Sequence, residues 1–184
     1  MSEPREVKNS DPRSAERWWL WLLLSAAVVI TDQLTKAAVL SWLHAGEERI
    51  VTGFLSIVLA FNSGAAFSFL GDASGWQRYL FSAFAVAAAA LIVWLLRRGG
   101  DRMYCAGLSL ILGGALGNLL DRALIGKVVD FILVHDYLPF RPLGGGWFDP
   151  FPAFNIADSA ITIGAALLII DSFRQRRTGS AALR

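Results

Sequence analysis

Four apolar blocks, each long enough to cross a bilayer, constrain this 184-residue chain more than any other feature. They occupy 18–43, 79–96, 103–120 and 156–173. A spanning helix needs about 20 predominantly apolar residues. Inside lipid each backbone N–H and C=O must find a partner within the protein, so open blocks of this kind read as helices. Charged residues make up 17% of the chain and hydrophobic ones 55%. Soluble domains carry about 25% charged residues, so the apolar surface here faces lipid rather than a private core. The sequence predicts an all-α integral membrane protein of four transmembrane helices. A polar tail over 1–17, a membrane domain over 18–173 and a basic tail over 174–184 complete the organisation. The first tail has mixed charge and no apolar period, the composition of a disordered segment.

The first block is interrupted by Thr31-Asp32-Gln33-Leu34-Thr35-Lys36. A competing reading makes Arg17 and the following apolar residues a cleaved signal peptide. No small-x-small site precedes the polar stretch, however. Between the first two spans, Phe54-Leu55-Ser56-Ile57-Val58-Leu59-Ala60-Phe61 is too short to span. Bounded by Gly53 and Asn62-Ser63-Gly64, it reads as a strand, and a small β-rich element is expected there.

Lys and Arg near the span ends set orientation. Arg5, Lys8, Arg13 and Arg17 precede the first span, Arg97, Arg98 and Arg102 join the second to the third, and Arg174, Arg176, Arg177 and Arg184 follow the fourth. Four spans put these segments on one side, so both termini are expected in the cytoplasm. The 44–78 and 121–155 connections then face outward.

The formal charge of +2 and pI near 9.0 do not indicate a nucleic-acid partner. The basic residues sit at the ends of apolar blocks, not along one face. A lone Cys105 excludes an intrachain disulfide, and His44 and His135 give no zinc spacing. No metal or cofactor is implied. Small residues four apart, Gly113 with Gly117 and Ala160 with Gly164, suggest that the third and fourth spans pack closely.

Polar and ionisable groups at membrane depth are costly and call for a reason. They gather in four places: Asp32 with Lys36; Asn62; Asn118, Asp121 and Arg122 through Asp130; and Asn155 with Asp158. All but the first lie at or beyond the outer ends of spans. Each has a plainer reading. Asp32 and Lys36 suit an i,i+4 ion pair, and Asn155-x-x-Asp158 resembles a capping box. Asn118, Asp121 and Arg122 could simply close the third helix. Asp130 is harder to explain that way, since Val128, Val129, Phe131 and Ile132 around it are all apolar. An exposed strand position is the alternative; a buried carboxylate there must be paired, hydrogen-bonded or protonated. If Asp130 and Asp158 meet, they share a proton and supply one acid and one base, enough for a water to attack a peptide carbonyl. Asn118, Asn155 and Arg122 would orient the carboxylates and the substrate.

Five segments in order carry a resemblance. They are Thr31-Asp32-Gln33-x-Thr35-Lys36, Phe61-Asn62-x-Gly64-Ala65-Ala66-Phe67-Ser68, Gly117-Asn118-x-x-Asp121-Arg122, Gly126-x-Val128-Val129-Asp130-Phe131 and Phe154-Asn155-Ile156-Ala157-Asp158-Ser159. Together they resemble the lipoprotein signal peptidases (signal peptidase II), from about the first span to the last. The resemblance implies an enzyme of the bacterial inner membrane with a small extracytoplasmic β-cradle and a site near the outer leaflet; the chain is expected to act as a monomer. It implies an aspartic endopeptidase that cuts diacylglyceryl-modified prolipoproteins just before the lipidated cysteine. Carried over by position, Asp130 and Asp158 match the catalytic pair. Asn118, Arg122 and Asn155 match polar residues around it, and Asn62 and Asp32 match further site or supporting positions. The 137–152 segment, with Trp147 and Phe148, is a candidate lid that would meet lipid and the lipid-anchored substrate. Two other classes compete: a small proton-coupled transporter relaying protons through Asp32, Asp130 and Asp158, and a non-catalytic membrane scaffold. A transporter favours inverted repeats and broken helices at mid-membrane, and the sequence contains no repeat.

Overall fold

A computed structural model describes residues 17–63, 76–134 and 152–181, with 176–181 described by backbone alone. The 1–17 tail apart from Arg17, the 64–68 part of the second motif, the last tail residues 182–184 and the 137–152 lid apart from Pro152 lie outside the described residues. So do Trp147 and Phe148. In chain order the elements are α1 (Trp19–Trp42), β1 (Glu48–Thr52), β2 (Leu55–Asn62), α2 (Trp76–Arg98), α3 (Arg102–Ile125), β3 (Val128–Val134) and α4 (Ile156–Ala181).

Among the described residues four helices have the length and apolarity to cross a membrane, with mean hydropathies of 1.5, 2.3, 1.6 and 1.7. Each of the four expected spans is present. α1 runs unbroken through the polar 31–36 stretch, which therefore lies within a bundle helix rather than after a cleavage point.

α3 is the central post. Half of its apolar window is buried, against 11% for α2, and it packs on all three other helices, whereas α1 and α2 barely touch. Glycine makes the close approaches possible. A Cβ on Gly107 would meet the Gly164 carbonyl at 2.9 Å, and one on Gly114 would collide with the Ala157 carbonyl, so α3 and α4 lie backbone to backbone. The expected α3–α4 packing is thus present, with one refinement. Gly113 faces Ser25 and Val28 of α1 instead of α4. α3 ends at Gly126, whose φ of 77° is left-handed and whose N–H donates to the Arg122 carbonyl at 3.2 Å.

The sheet is antiparallel in the order β1-β2-β3. The β-rich element between the first two spans is therefore incomplete by itself. It borrows its third strand from the connection between α3 and α4. Ala60 pairs with Asp130 and Phe61 with Val129, after an irregularity beyond Ile57. The segment before α4 is tied to the same strand, since the N–H groups of Phe131 and Ile132 donate to the Phe154 carbonyl at 3.0 and 2.8 Å. Val39 of α1 and Leu43 just after its end, Leu59 of β2 and Val129 and Phe131 of β3 form the core that seats the sheet on the bundle. Burial of such side chains contributes roughly 1.5–3 kcal/mol each. The result is a rigid junction of α1, α3, β3 and the start of α4.

Candidate active site

The polar residues of the four separate sequence segments meet at that junction. Asp130 projects from β3 and is 3% exposed, so the exposed-strand alternative does not hold. Asp158 sits in the first turn of α4. Two amides join them. Asn155 donates its Nδ2 to Asp130 Oδ1 at 2.8 Å and to Asn118 Oδ1 at 3.1 Å. Asn118 in turn donates its Nδ2 to Asp158 Oδ1 at 2.8 Å.

The capping box at the start of α4 is also real. The Asp158 N–H donates to Asn155 Oδ1 at 2.9 Å, and the Asn155 N–H donates to Asp158 Oδ2 at 3.2 Å. Capping and site are therefore one arrangement rather than rival explanations. Asn155 is fully buried, and its amide has every donor and acceptor engaged by β3, α3 and its own helix. Such saturation fixes its rotamer, and with it the placement of Asp130 and Asp158.

A second layer lies beneath. The Lys36 ammonium contacts Asp32 Oδ2 and Asp121 Oδ2, each at 2.8 Å, and donates to Asn118 Oδ1 at 3.1 Å. Asp32 accepts the N–H of Ala157 at 2.9 Å, capping the buried amide end of α4 from α1. Asp121 accepts the N–H of Val129 at 3.0 Å, pinning β3 one residue before Asp130. Gln33 donates to Asp121 Oδ1 at 2.9 Å and to the Gly117 carbonyl at 3.1 Å. Asp32 needs room to reach this point, and Gly117 supplies it: a Cβ there would stand 2.7 Å from Asp32 Oδ2. The Asp32–Lys36 ion pair thus also ties α1 to the site.

Among the described residues every buried side-chain nitrogen and oxygen has a partner. Lone buried charges are severely penalised, while a fully connected network is tolerated. Arg122 approaches from α3, its guanidinium 5.5 Å from the Phe81 ring of α2. It lies within electrostatic reach of Asp158, Asp130 and Asp121.

Burial pushes the Asp130 carboxyl up from its ordinary 3.8 to about 6, and the nearby Asp158 charge pushes the same way. Hydrogen bonds from Asn62 and Asn155 and the charge of Lys36 oppose that rise without cancelling it. Near neutral pH a group of this kind exchanges a proton readily.

All seven site residues read from the sequence belong to this cluster: Asp130, Asp158, Asn118, Arg122, Asn155, Asn62 and Asp32. Three more were not singled out as site residues there. Lys36 is the hub, Asp121 the clamp on β3, and Gln33 their brace. Their signal was the same in each case, a polar side chain where lipid or core was expected, but spacing alone did not say which neighbour each would meet.

Fold and cluster define a class: a four-span membrane protein that holds two acids in one hydrogen-bonded network at the sheet end of its bundle. The sequence model of the family described as signal peptidase (SPase) II matches residues 24–174. The chain belongs to that family. It is 52% identical over 158 residues to a lipoprotein signal peptidase of Ralstonia nicotianae, covering 85% of this chain and 86% of that one. It is 48% identical over 174 residues to one of Cupriavidus necator, covering 94% of each. A solved structure of a bacterial membrane enzyme superposes with a TM-score of 0.70 at 34% identity, over 83% of this chain and 91% of that one.

Proposed function

We propose that Asp130 and Asp158 are the catalytic pair with which this chain, an aspartic endopeptidase, removes signal peptides from diacylglyceryl-modified prolipoproteins, cutting just before the lipidated cysteine. The observation that carries the assignment is the amide bridge, in which Asn155 and Asn118 tie Asp130 to Asp158. The raised Asp130 carboxyl supports its role as the proton holder. Asp158, whose two oxygens both accept N–H donors, serves as the base.

In this mechanism Asp158 takes a proton from a water attacking the scissile carbonyl. Asp130 gives its proton to the developing oxyanion; as the gem-diol intermediate collapses, Asp158 passes the proton it took from water to the leaving amine and Asp130 recovers one from the gem-diol hydroxyl. Arg122 offsets the charge that builds up between them. Asn62 holds Asp130 from β2. The deeper Lys36 layer takes no part in proton transfer; it positions Asn118 and β3.

The chain is a multi-pass protein of the bacterial inner membrane. Both termini are placed in the cytoplasm and the cluster near the outer leaflet. Arg97 and Arg98 end α2 and Arg102 opens α3, so the basic turn lies at the opposite end of these helices from the sheet, in keeping with the positive-inside bias. The enzyme acts as a monomer, a reading supported by a polar network that closes within one chain. With Asp32, Asp130 and Asp158 gathered in one cluster, and with the family match, the transporter and scaffold readings are left without support.

Water attack separates this mechanism from a covalent one. Cleavage in the presence of hydroxylamine should release only the free carboxylate of the signal peptide. A hydroxamate product would reveal an acyl-enzyme and rule out the role given to the pair.

A further inference from the structure

α1 and α2 diverge across one face of α3 and leave a groove of about 810 Å³ between them. Leu22 and Ile30 of α1 and Val86 and Val93 of α2 form its walls, and Leu112 and Leu116 of α3 its floor. It shares no lining residue with the carboxylate cluster. The Ser25 hydroxyl at its edge is already spent on the Ser109 carbonyl, at 2.8 Å. The charged group that lines the groove is Arg97, at its basic end. Its guanidinium lies 4.9 Å from the Trp18 ring, beside exposed Arg17. Arg98 stacks on Trp94 at 3.7 Å. Aromatic rings paired with arginine mark the level of lipid headgroups.

We infer that this groove is a binding site for an anionic phospholipid, with an acyl chain between α1 and α2 and the phosphate on Arg97. Length and charge both point to it. From Val86 to Arg97 the wall is roughly 16 Å long, the scale of an extended acyl chain. A signal-peptide helix, about 10 Å across, is the rival occupant. A signal peptide brings a positively charged first region, which Arg97 and Arg17 repel and a phosphate complements. The consequence reaches the site indirectly. α2 leans on α3 and barely touches α1, yet carries Phe81 against Arg122. A lipid wedged in the groove supplies the packing that α2 lacks on its other side.

The test uses the full chain in nanodiscs and native mass spectrometry, with phosphatidylglycerol and phosphatidylethanolamine of identical acyl chains. One phosphatidylglycerol should be retained about five-fold more strongly, the worth of one arginine near a headgroup. Arg97→Gln, at an exposed position, should abolish that preference without unfolding the protein. Ala90→Phe, on the α2 wall of the groove, should lower occupancy by both lipids. A photoreactive residue at position 90 should capture phosphatidylglycerol. Equal retention of the two lipids by the wild type, an unchanged preference in Arg97→Gln, or capture of the signal peptide or a second copy at position 90 would each overturn the inference.

Discussion

Replacing Asp130 with Asn should abolish cleavage and, at the same time, make the folded protein more stable at neutral pH. Burial and the Asp158 charge raise the Asp130 carboxyl from 3.8 to about 6. A change of that size makes its ionisation roughly 3 kcal/mol harder in the folded state than in the unfolded one. The sign follows from proton binding. Below about pH 4 both states carry the proton, and no penalty exists. Between 4 and 6 the unfolded chain releases its proton while the folded one keeps it, so stability falls as pH rises. Above about 6 both are ionised, and the loss levels off.

Asn is close in shape to the protonated acid and can still accept from Asn155. It therefore removes the penalty without opening a cavity. For a chain of this length roughly 3 kcal/mol corresponds to about 6–12 °C in Tm. Thermal unfolding of wild type and Asp130→Asn in the same detergent, at pH 4 and pH 7.5, reads this directly. The variant should gain several degrees at pH 7.5 and almost nothing at pH 4. An equal gain at both pH values, or a loss at pH 7.5, would refute the reasoning that Asp130 is a strained, proton-holding carboxyl.

Other consequences follow from the same geometry. In kcat/KM the alkaline limb should fall near pH 6 and move upward in Asn62→Ala, since Asn62 favours the ionised form; a limb that stays fixed removes Asn62 from contact with the acid. Lys36→Met strands Asp32 and Asp121 without their cation and should cost about 3–5 kcal/mol, read as loss of the monodisperse peak in size-exclusion chromatography. Adding Asp32→Asn and Asp121→Asn should recover part of that peak, and no recovery would argue against an ion-pair hub. Gly114→Ala drives a methyl into the Ala157 carbonyl and should cost about 1–3 kcal/mol, lowering turnover by displacing Asp158. Gly53→Ala, with open space around it, should change neither stability nor turnover.

The spans were legible because lipid imposes a length and an apolarity that composition alone reveals. Even so, α2 begins at Trp76 rather than Tyr79, and α4 continues to Ala181, since helices run on past the apolar window that betrays them. The sheet was half legible. β2 showed as a short apolar run, but β1 is exposed along its whole length and carries no burial pattern to read. β3 pairs with β2 across some 70 residues, a register that no local spacing encodes. The seven site residues could be picked out because polar groups in apolar surroundings need an explanation. Their partners could not. Asp32 meets the Ala157 N–H from 125 residues away, and Lys36 reaches Asn118 across 82. Capping and site appeared as alternatives for Asn155 and Asp158 because the sequence cannot show that one amide satisfies both.

The most direct test of the catalytic pair is cleavage of a diacylglyceryl-modified prolipoprotein by purified wild type, Asp130→Asn and Asp158→Asn, each shown to be folded. The proposed mechanism predicts that the wild type releases the signal peptide and that neither variant does. Cleavage surviving in either variant would remove that aspartate from the chemistry and contradict the mechanism.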